Sequence, residues 1–197
     1  STFRKMHVWS QPGERVIVIM TAGSLSVSQT AIAQLREAID NPEATPDTSI
    51  MLAPTLLQVA GIVGDRLAKV RAEVDDKLSA MQGASASMIV AGQRKGGEMR
   101  LFLIYPEGNF IEATEDTPFL QIGEHKYGKP ILDRVVTHDT SLVDGVKLVL
   151  ISMDSTLRSN LTVGMPVDLL VYRENSFATT LRKRLTEEEP YFRLVRE

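Results

Sequence analysis

The sequence has no cysteine among its 197 residues. That excludes a disulfide framework, a thiol nucleophile and a cysteine-based zinc site together. Its three histidines, His7, His125 and His138, share no ligand spacing, so no metal site is expected. No apolar run approaches the roughly 18 residues of a membrane span, and no membrane association is expected. An excess of positive charge is lacking too. Lys and Arg number 22 against 25 Asp and Glu, a net charge of −3. A broad nucleic-acid footprint is therefore not expected. Repeats, low-complexity tracts and linkers are missing as well. What remains is an ordinary globular composition, 43% hydrophobic and 24% charged. A chain of this length buries a sizeable core without staples, and disorder is excluded as its main state. One domain over residues 1–197 is expected. Ser1 is followed by no signal-peptide pattern, which with the missing cysteine fits a cytoplasmic protein.

The patterning predicts strands and helices in pairs. Thr2 to Val8 alternates, with Phe3, Lys5 and His7 on one face, and reads as a strand. Gln11-Pro12-Gly13-Glu14 is a turn, and Arg15 to Thr21 (RVIVIMT) is a β-branched run buried on both faces. A helix is expected over about Val27 to Ile39, capped by Ser26 and closed at Asn41-Pro42. A second spans about Pro54 to Met81, where Gly61 and Gly64 leave room for close packing. Strand candidates follow at Ala86–Gln93, Met99–Tyr105, Phe110–Ala113 and Phe119–Ile122. Helices are predicted at about Lys129–Val136 and Leu142–Ser159, the latter opened by a Ser141/Asp144 capping pattern. Met165–Tyr172 and Ala178–Arg184 form a hairpin about Glu174-Asn175, and a charged tail, Thr186–Glu197, closes the chain. Strand pairs alternating with helix pairs predict an α+β fold: two antiparallel sheets with helices outside, a four-layer αββα sandwich.

Few residue patterns carry chemistry alone. Gly92-Gln-Arg-Lys-Gly-Gly97 is glycine-rich and basic, but no helix follows it, so it reads as a hairpin turn rather than a phosphate loop. No Gly-x-Ser-x-Gly elbow supports a serine triad. Lys5 has two readings. A desolvated lysine beside a nucleophile tunes its basicity. An edge-strand lysine merely discourages strand addition.

Four stretches together resemble one family. They are Ser1-Thr-Phe-Arg-Lys-Met6, Thr21-Ala-Gly-Ser24, Tyr105-Pro-Glu-Gly-Asn-Phe-Ile-Glu-Ala113 and Gln121-Ile-Gly-Glu-His-Lys-Tyr-Gly-Lys-Pro-Ile-Leu-Asp-Arg134. The segment from Ser152 through Arg158, Ser159 and Asn160 to Gly164 supports them. The chain resembles the bacterial proteasome-type protease family called Anbu, the ancestral β-subunit, over nearly its whole length.

The resemblance implies the N-terminal-nucleophile hydrolase fold, the same αββα order that the patterning predicts. It also implies threonine chemistry, in which a first-residue hydroxyl attacks a peptide carbonyl and its own α-amine is the general base. Lys5 matches the family's lysine, and Gly23 matches the glycine whose backbone N–H stabilises the oxyanion. Thr21 and Ala22, in the same turn, are implied to meet substrate. Arg158 to Gly164 matches the loop that supports the nucleophile's amine. Where proteasomes carry Asp and Ser there, this sequence has Ser159 and Thr162. Family members carry about two further strands before the Ser1 segment, bearing the threonine and a supporting aspartate. The nucleophile is therefore expected ahead of Ser1, in a longer parent chain that also extends past Glu197. No cofactor is implied. The implied partners are copies of the chain, in a ring or open helical ring built through the outer helices at Pro54–Met81 and Leu142–Ser159, and a peptide or unfolded-protein substrate. Two alternatives share the fold: an inactive assembly protein, and an amidase for small amides.

Overall fold

The computed structural model describes residues 3–77 and 85–190. Strand β1, Met6–Gln11, turns through Pro12 to Glu14 into β2, Arg15–Gly23. Helices α1, Leu25–Asp40, and α2, Leu56–Lys77, come next. Strands β3, Ala86–Arg94, β4, Arg100–Ile104, and β5, Phe110–Glu112, complete one sheet. Helices α3, Lys129–Val135, and α4, Leu142–Ser159, then precede the hairpin of β6, Val167–Tyr172, and β7, Thr179–Leu185. The first sheet has the order β1-β2-β3-β4-β5 and every neighbouring pair is antiparallel. The β6-β7 pair is a second antiparallel sheet. The result is a mixed α/β fold of four described helices and antiparallel sheets.

Burial explains why the segments settle there. On β2, Val16 to Ile19 are all buried, as a β-branched run covered on both faces requires. Ile17 and Ile19 join α1 and α2 in the main core, with Ile32, Leu35, Val59, Val63, Leu67, Phe102 and Ile104. Val16 and Val18 point to the reverse face. Gln93, also buried, ties that face to the β6-β7 hairpin. Its amide nitrogen donates to Asn175 Oδ1 (2.8 Å), and its oxygen accepts from the Tyr172 hydroxyl (2.8 Å) and the Asn175 amide (2.7 Å). Asn175 has φ +63, a left-handed conformation that asparagine tolerates in turns. Helix α4 packs against this hairpin through Leu150, Met153, Leu157 and Leu185. Gly64 lets α2 ride directly on the β4-β5 turn, where a Cβ would collide with the Gly108 carbonyl oxygen.

Three expectations are corrected. The first strand begins at Met6, not Thr2. The turn at residues 12–14 sets Gln11 opposite Arg15, and that register runs out at Met6 opposite Met20. The α1 cap is Ser24 rather than Ser26, because the helix starts as soon as β2 ends at Gly23, and the Ser24 hydroxyl accepts from the Val27 amide. Phe119–Ile122 is not a strand. Pro118 offers no N–H, Gly123 (φ +80) turns the chain, and Gln121 and Ile122 line a cleft instead of pairing. The Ser141 cap of α4 forms as expected, accepting from the Asp144 amide at 3.1 Å. The predicted last turn of the second helix, 78–81, and most of the tail, 191–197, lie outside the described residues.

Candidate functional site

Where β2 ends and β1 begins, the sheet opens into a cleft of about 310 Å³. One wall is Phe3, Lys5, Met6, Met20, Thr21 and Ala22. The Thr21 amide donates to the Lys5 carbonyl oxygen at 2.9 Å, which extends the pairing one step past β1. The 121–124 loop forms a second wall. Ser152, Met153 and Thr156 of α4, then Thr162 to Gly164 and the start of β6, close the third. Of the residues singled out above, Lys5, Thr21, Ala22 and Thr162 therefore share one cleft. Lys5 is exposed and lies ahead of the strand rather than within it.

Gly23 and Ser159 are not among the residues lining that cleft. Gly23 adjoins Ala22 at the end of β2 with φ +90, and a Cβ there would strike the Ser85 carbonyl oxygen. Only glycine fits both conditions. Ser159 is the last residue of α4 and is exposed.

The structure adds residues that sequence reasoning did not assign. Asn160 follows α4 and its Oδ1 accepts from both the Thr162 amide (2.8 Å) and the Thr162 hydroxyl (2.6 Å). Its Nδ2 donates to Glu124 Oε2 at 2.8 Å, across 36 positions of sequence. Glu124 Oε1 accepts from the Lys126 amide at 2.9 Å. That backbone hydrogen bond first, then the one from Asn160, holds the Glu124 carboxyl below its usual range. Gln121 donates from Nε2 to the Glu124 carbonyl oxygen at 3.2 Å. Its Oε1 is buried with no hydrogen-bond partner among the described residues. The Asn160-x-Thr162 spacing is an Asx-turn signature and was legible. Nothing local marked Glu124 as its partner.

No protein-family model and no curated protein matches the chain. Solved structures do. Anbu (ancestral β-subunit) from Yersinia bercovieri is 44% identical over 100% of this chain and 80% of its own, with a TM-score of 0.92. The helical assembly of the Anbu complex from Pseudomonas aeruginosa is 45% identical over 100% of this chain and 80% of its own, with a TM-score of 0.93. An Anbu (Gly-1) mutant from Hyphomicrobium sp. strain MC1 is 46% identical over 99% and 80% respectively, with a TM-score of 0.90. The chain belongs to the Anbu family.

Beside the main cleft of this Anbu chain lies a basic one of about 210 Å³, lined by Arg4, Met6, Asp168, Arg182, Lys183 and Arg184. Met6 and Asp168 line both. Asp168 faces Arg184 in the β6-β7 register, and Arg184 Nη1 contacts both its carboxylate oxygens at 3.1 Å. His7 titrates below its usual range, from burial first and then the positive charges of Arg36 and Arg182, with Asp168 opposing. Among the described residues no three His, Asp or Glu side chains gather as metal ligands. Among them too, no helix is long and apolar enough to cross a membrane. Chemically, the main cleft offers a cation at Lys5, the Thr162 hydroxyl, and the backbone of Thr21 and Ala22 at the strand end. That set suits an amide ligand held in the cleft beside a positive charge.

Proposed function

We propose that this Anbu chain is a subunit of a self-compartmentalising threonine peptidase that hydrolyses peptide bonds. The observation that carries the reading is the convergence of Lys5, Thr21, Ala22 and Thr162 on one cleft, although 157 positions separate the first from the last. In this reading a threonine at the mature N-terminus of the intact protein is the nucleophile and its α-amine the base. The Lys5 ammonium favours the oxyanion of the attacking hydroxyl, and the Gly23 N–H holds the carbonyl oxygen of the tetrahedral intermediate. Thr21 and Ala22 bind the substrate backbone, and Ser159 and Thr162 support the amine. The domain spans 1–197 as an αββα sandwich, with α1 and α2 outside one sheet and α3 and α4 outside the other. Contacts of α1 and α2 with β2, β3 and β4, and of α4 with the β6-β7 hairpin, support that layering.

Self-association into a ring or open helical ring is part of the proposal. It is supported by the helical assembly described for the Pseudomonas aeruginosa relative. Exposed apolar residues on the outer helices also support it: Leu57 on α2, and Val143 and Ile151 on α4. Peptides or unfolded proteins are the proposed substrates, and the proposed location is the cytoplasm. A second reading, an assembly protein without proteolysis, is favoured by Ser159, which is exposed and absent from the cleft lining.

One experiment separates the two. A threonine-reactive electrophile labels the intact protein stoichiometrically if it is a peptidase, and peptide turnover falls by about a hundredfold or more in Lys5→Ala. Turnover at the parent rate in that variant overturns the assignment. A protein that resists the electrophile is the scaffold.

A further inference from the structure

Two clefts of opposite character meet at Met6 and Asp168, which line both. The main one has apolar side chains in its walls, among them Phe3, Met20, Ile122, Met153 and Val163. Methionine is flexible, so such a wall adapts to apolar groups of different shape. The neighbouring cleft, about 210 Å³, is formed by Arg4 ahead of β1 and by Arg182, Lys183 and Arg184 of β7. Strand alternation puts Arg182 and Arg184 on one face of β7. Asp168 is the one carboxylate among the described lining residues, and Arg184 Nη1 engages both its oxygens. Arg4 and Arg182 are exposed and have no ion pair among the described residues. The cleft is therefore more positive than its own carboxylate offsets. His7, next to Met6, registers that surplus: burial first, then Arg36 and Arg182, hold its pKa down.

We propose that the basic cleft is a carboxylate-binding subsite of the main cleft, selecting peptides in which an acidic group neighbours an apolar residue. The inference rests on the reading of the main cleft as a peptide site, and it names the class of peptide. The apolar residue enters among the methionines, and the carboxylate passes Met6 to reach Arg4 and Arg182. A guanidinium presents its N–H donors in a planar fork that matches a carboxylate, so the pairing is directional as well as electrostatic. Asp168 stays beside the subsite as a negative charge, which favours a singly charged carboxylate over a doubly charged phosphate. An ammonium group meets the same positive surplus as repulsion, so basic peptides are disfavoured.

The carboxylate is either an acidic side chain or a peptide C-terminus, and the arms of one binding experiment tell them apart. Three N-acetylated peptides share one leucine. In the first, glutamate neighbours it and the C-terminus is amidated. The second ends at the leucine with a free carboxylate. The third has glutamine beside the leucine and an amidated end. Binding to the intact protein is read by fluorescence anisotropy on mixing, so a protein without turnover still answers. At least one acidic peptide is expected to bind about fivefold more tightly than the neutral one, and whichever gains names the source. Arg4→Gln and Arg182→Gln together are expected to abolish that advantage while sparing the neutral peptide. Arg173→Gln, an exposed cation of the same hairpin outside the cleft, is expected to keep it. If all three peptides bind alike or none binds, the subsite does not exist. An advantage that survives the double variant, or that Arg173→Gln removes equally, overturns it too. Labelling by a threonine-reactive electrophile is scored separately. A charge preference in an unlabelled protein removes the peptidase and keeps the subsite, and a labelled protein without the preference does the reverse.

Discussion

The two halves of the molecule are built to different standards. Among the described residues, the sheet from β1 to β5 with α1 and α2 encloses a core of twenty buried apolar residues, from Ile17 to Ile104. The β6-β7 hairpin with α4 has two among them, Leu150 and Leu185. Every residue of β6 is only half-buried, and Val143 and Ile151 on α4 stand in solvent. Hydrophobic stabilisation scales with the area removed from water, so the first half carries most of the folding free energy. The second half gains its order from contacts outside its own core, such as the Gln93 link to Tyr172 and Asn175. The cleft lies where the two halves meet. Its geometry therefore depends on how firmly the thin half is held against the thick one.

The largest test of that contrast is a pair of core truncations. Phe102→Ala in the large core is expected to cost about 3–5 kcal/mol in denaturant unfolding, and Leu185→Ala in the small one about 2 kcal/mol. Equal costs would break the comparison. A middle-sized effect is expected along α2. Gly64→Ala drives a Cβ into the Gly108 carbonyl oxygen and should cost about 1–3 kcal/mol. Gly61→Ala, three residues away on the same helix, meets nothing within 4 Å and should stabilise by about 0.5–1 kcal/mol. If both substitutions destabilise, the tight seating of α2 on the β4-β5 turn is not what distinguishes them.

The smallest effect concerns the seam between the halves. His7 is held below its ordinary value of 6.5 by burial and by Arg36 and Arg182. The unfolded chain then binds the proton more tightly than the folded one, so folding favours neutral His7. Its contribution is fully present above about pH 6.5 and is lost as pH falls through the lower folded value. Melting temperatures measured from pH 7.5 down to 5 should decline less steeply in His7→Gln than in the parent. An unchanged slope would mean that burial and the charges of Arg36 and Arg182 do not hold His7 neutral.

Much of the fold was legible because local patterns record it. RVIVIMT could only be a strand covered on both sides. The three- and four-residue spacing of Ile32, Leu35 and Ile39 could only be one buried helix face. Ser141 and Asp144 announced their cap. Phe119–Ile122 misled because four half-apolar residues carry no information about whether a partner strand lies beside them. The start of β1 misled because register is set by the turn at 12–14 and by β2, not by the alternation of its first residues. For the site, Lys5 stood out from its place in the sequence, but Thr21, Ala22 and Thr162 were reachable only through resemblance, since no spacing rule links residue 5 to residue 162.

The sequence by itself determined the element types, the hairpins, the absence of thiol chemistry and the family. All but the family rest on composition or on contacts within a few residues, and the family rests on the resemblance of four longer stretches. Tertiary structure alone decided that Lys5 is exposed and lines a cleft, that Ser159 is not among the residues lining it, and that Glu124 reaches Asn160. Those outcomes depend on how two sheets and two helix pairs are brought together. Side chains more than about thirty positions apart have no local signal for a meeting that packing alone arranges.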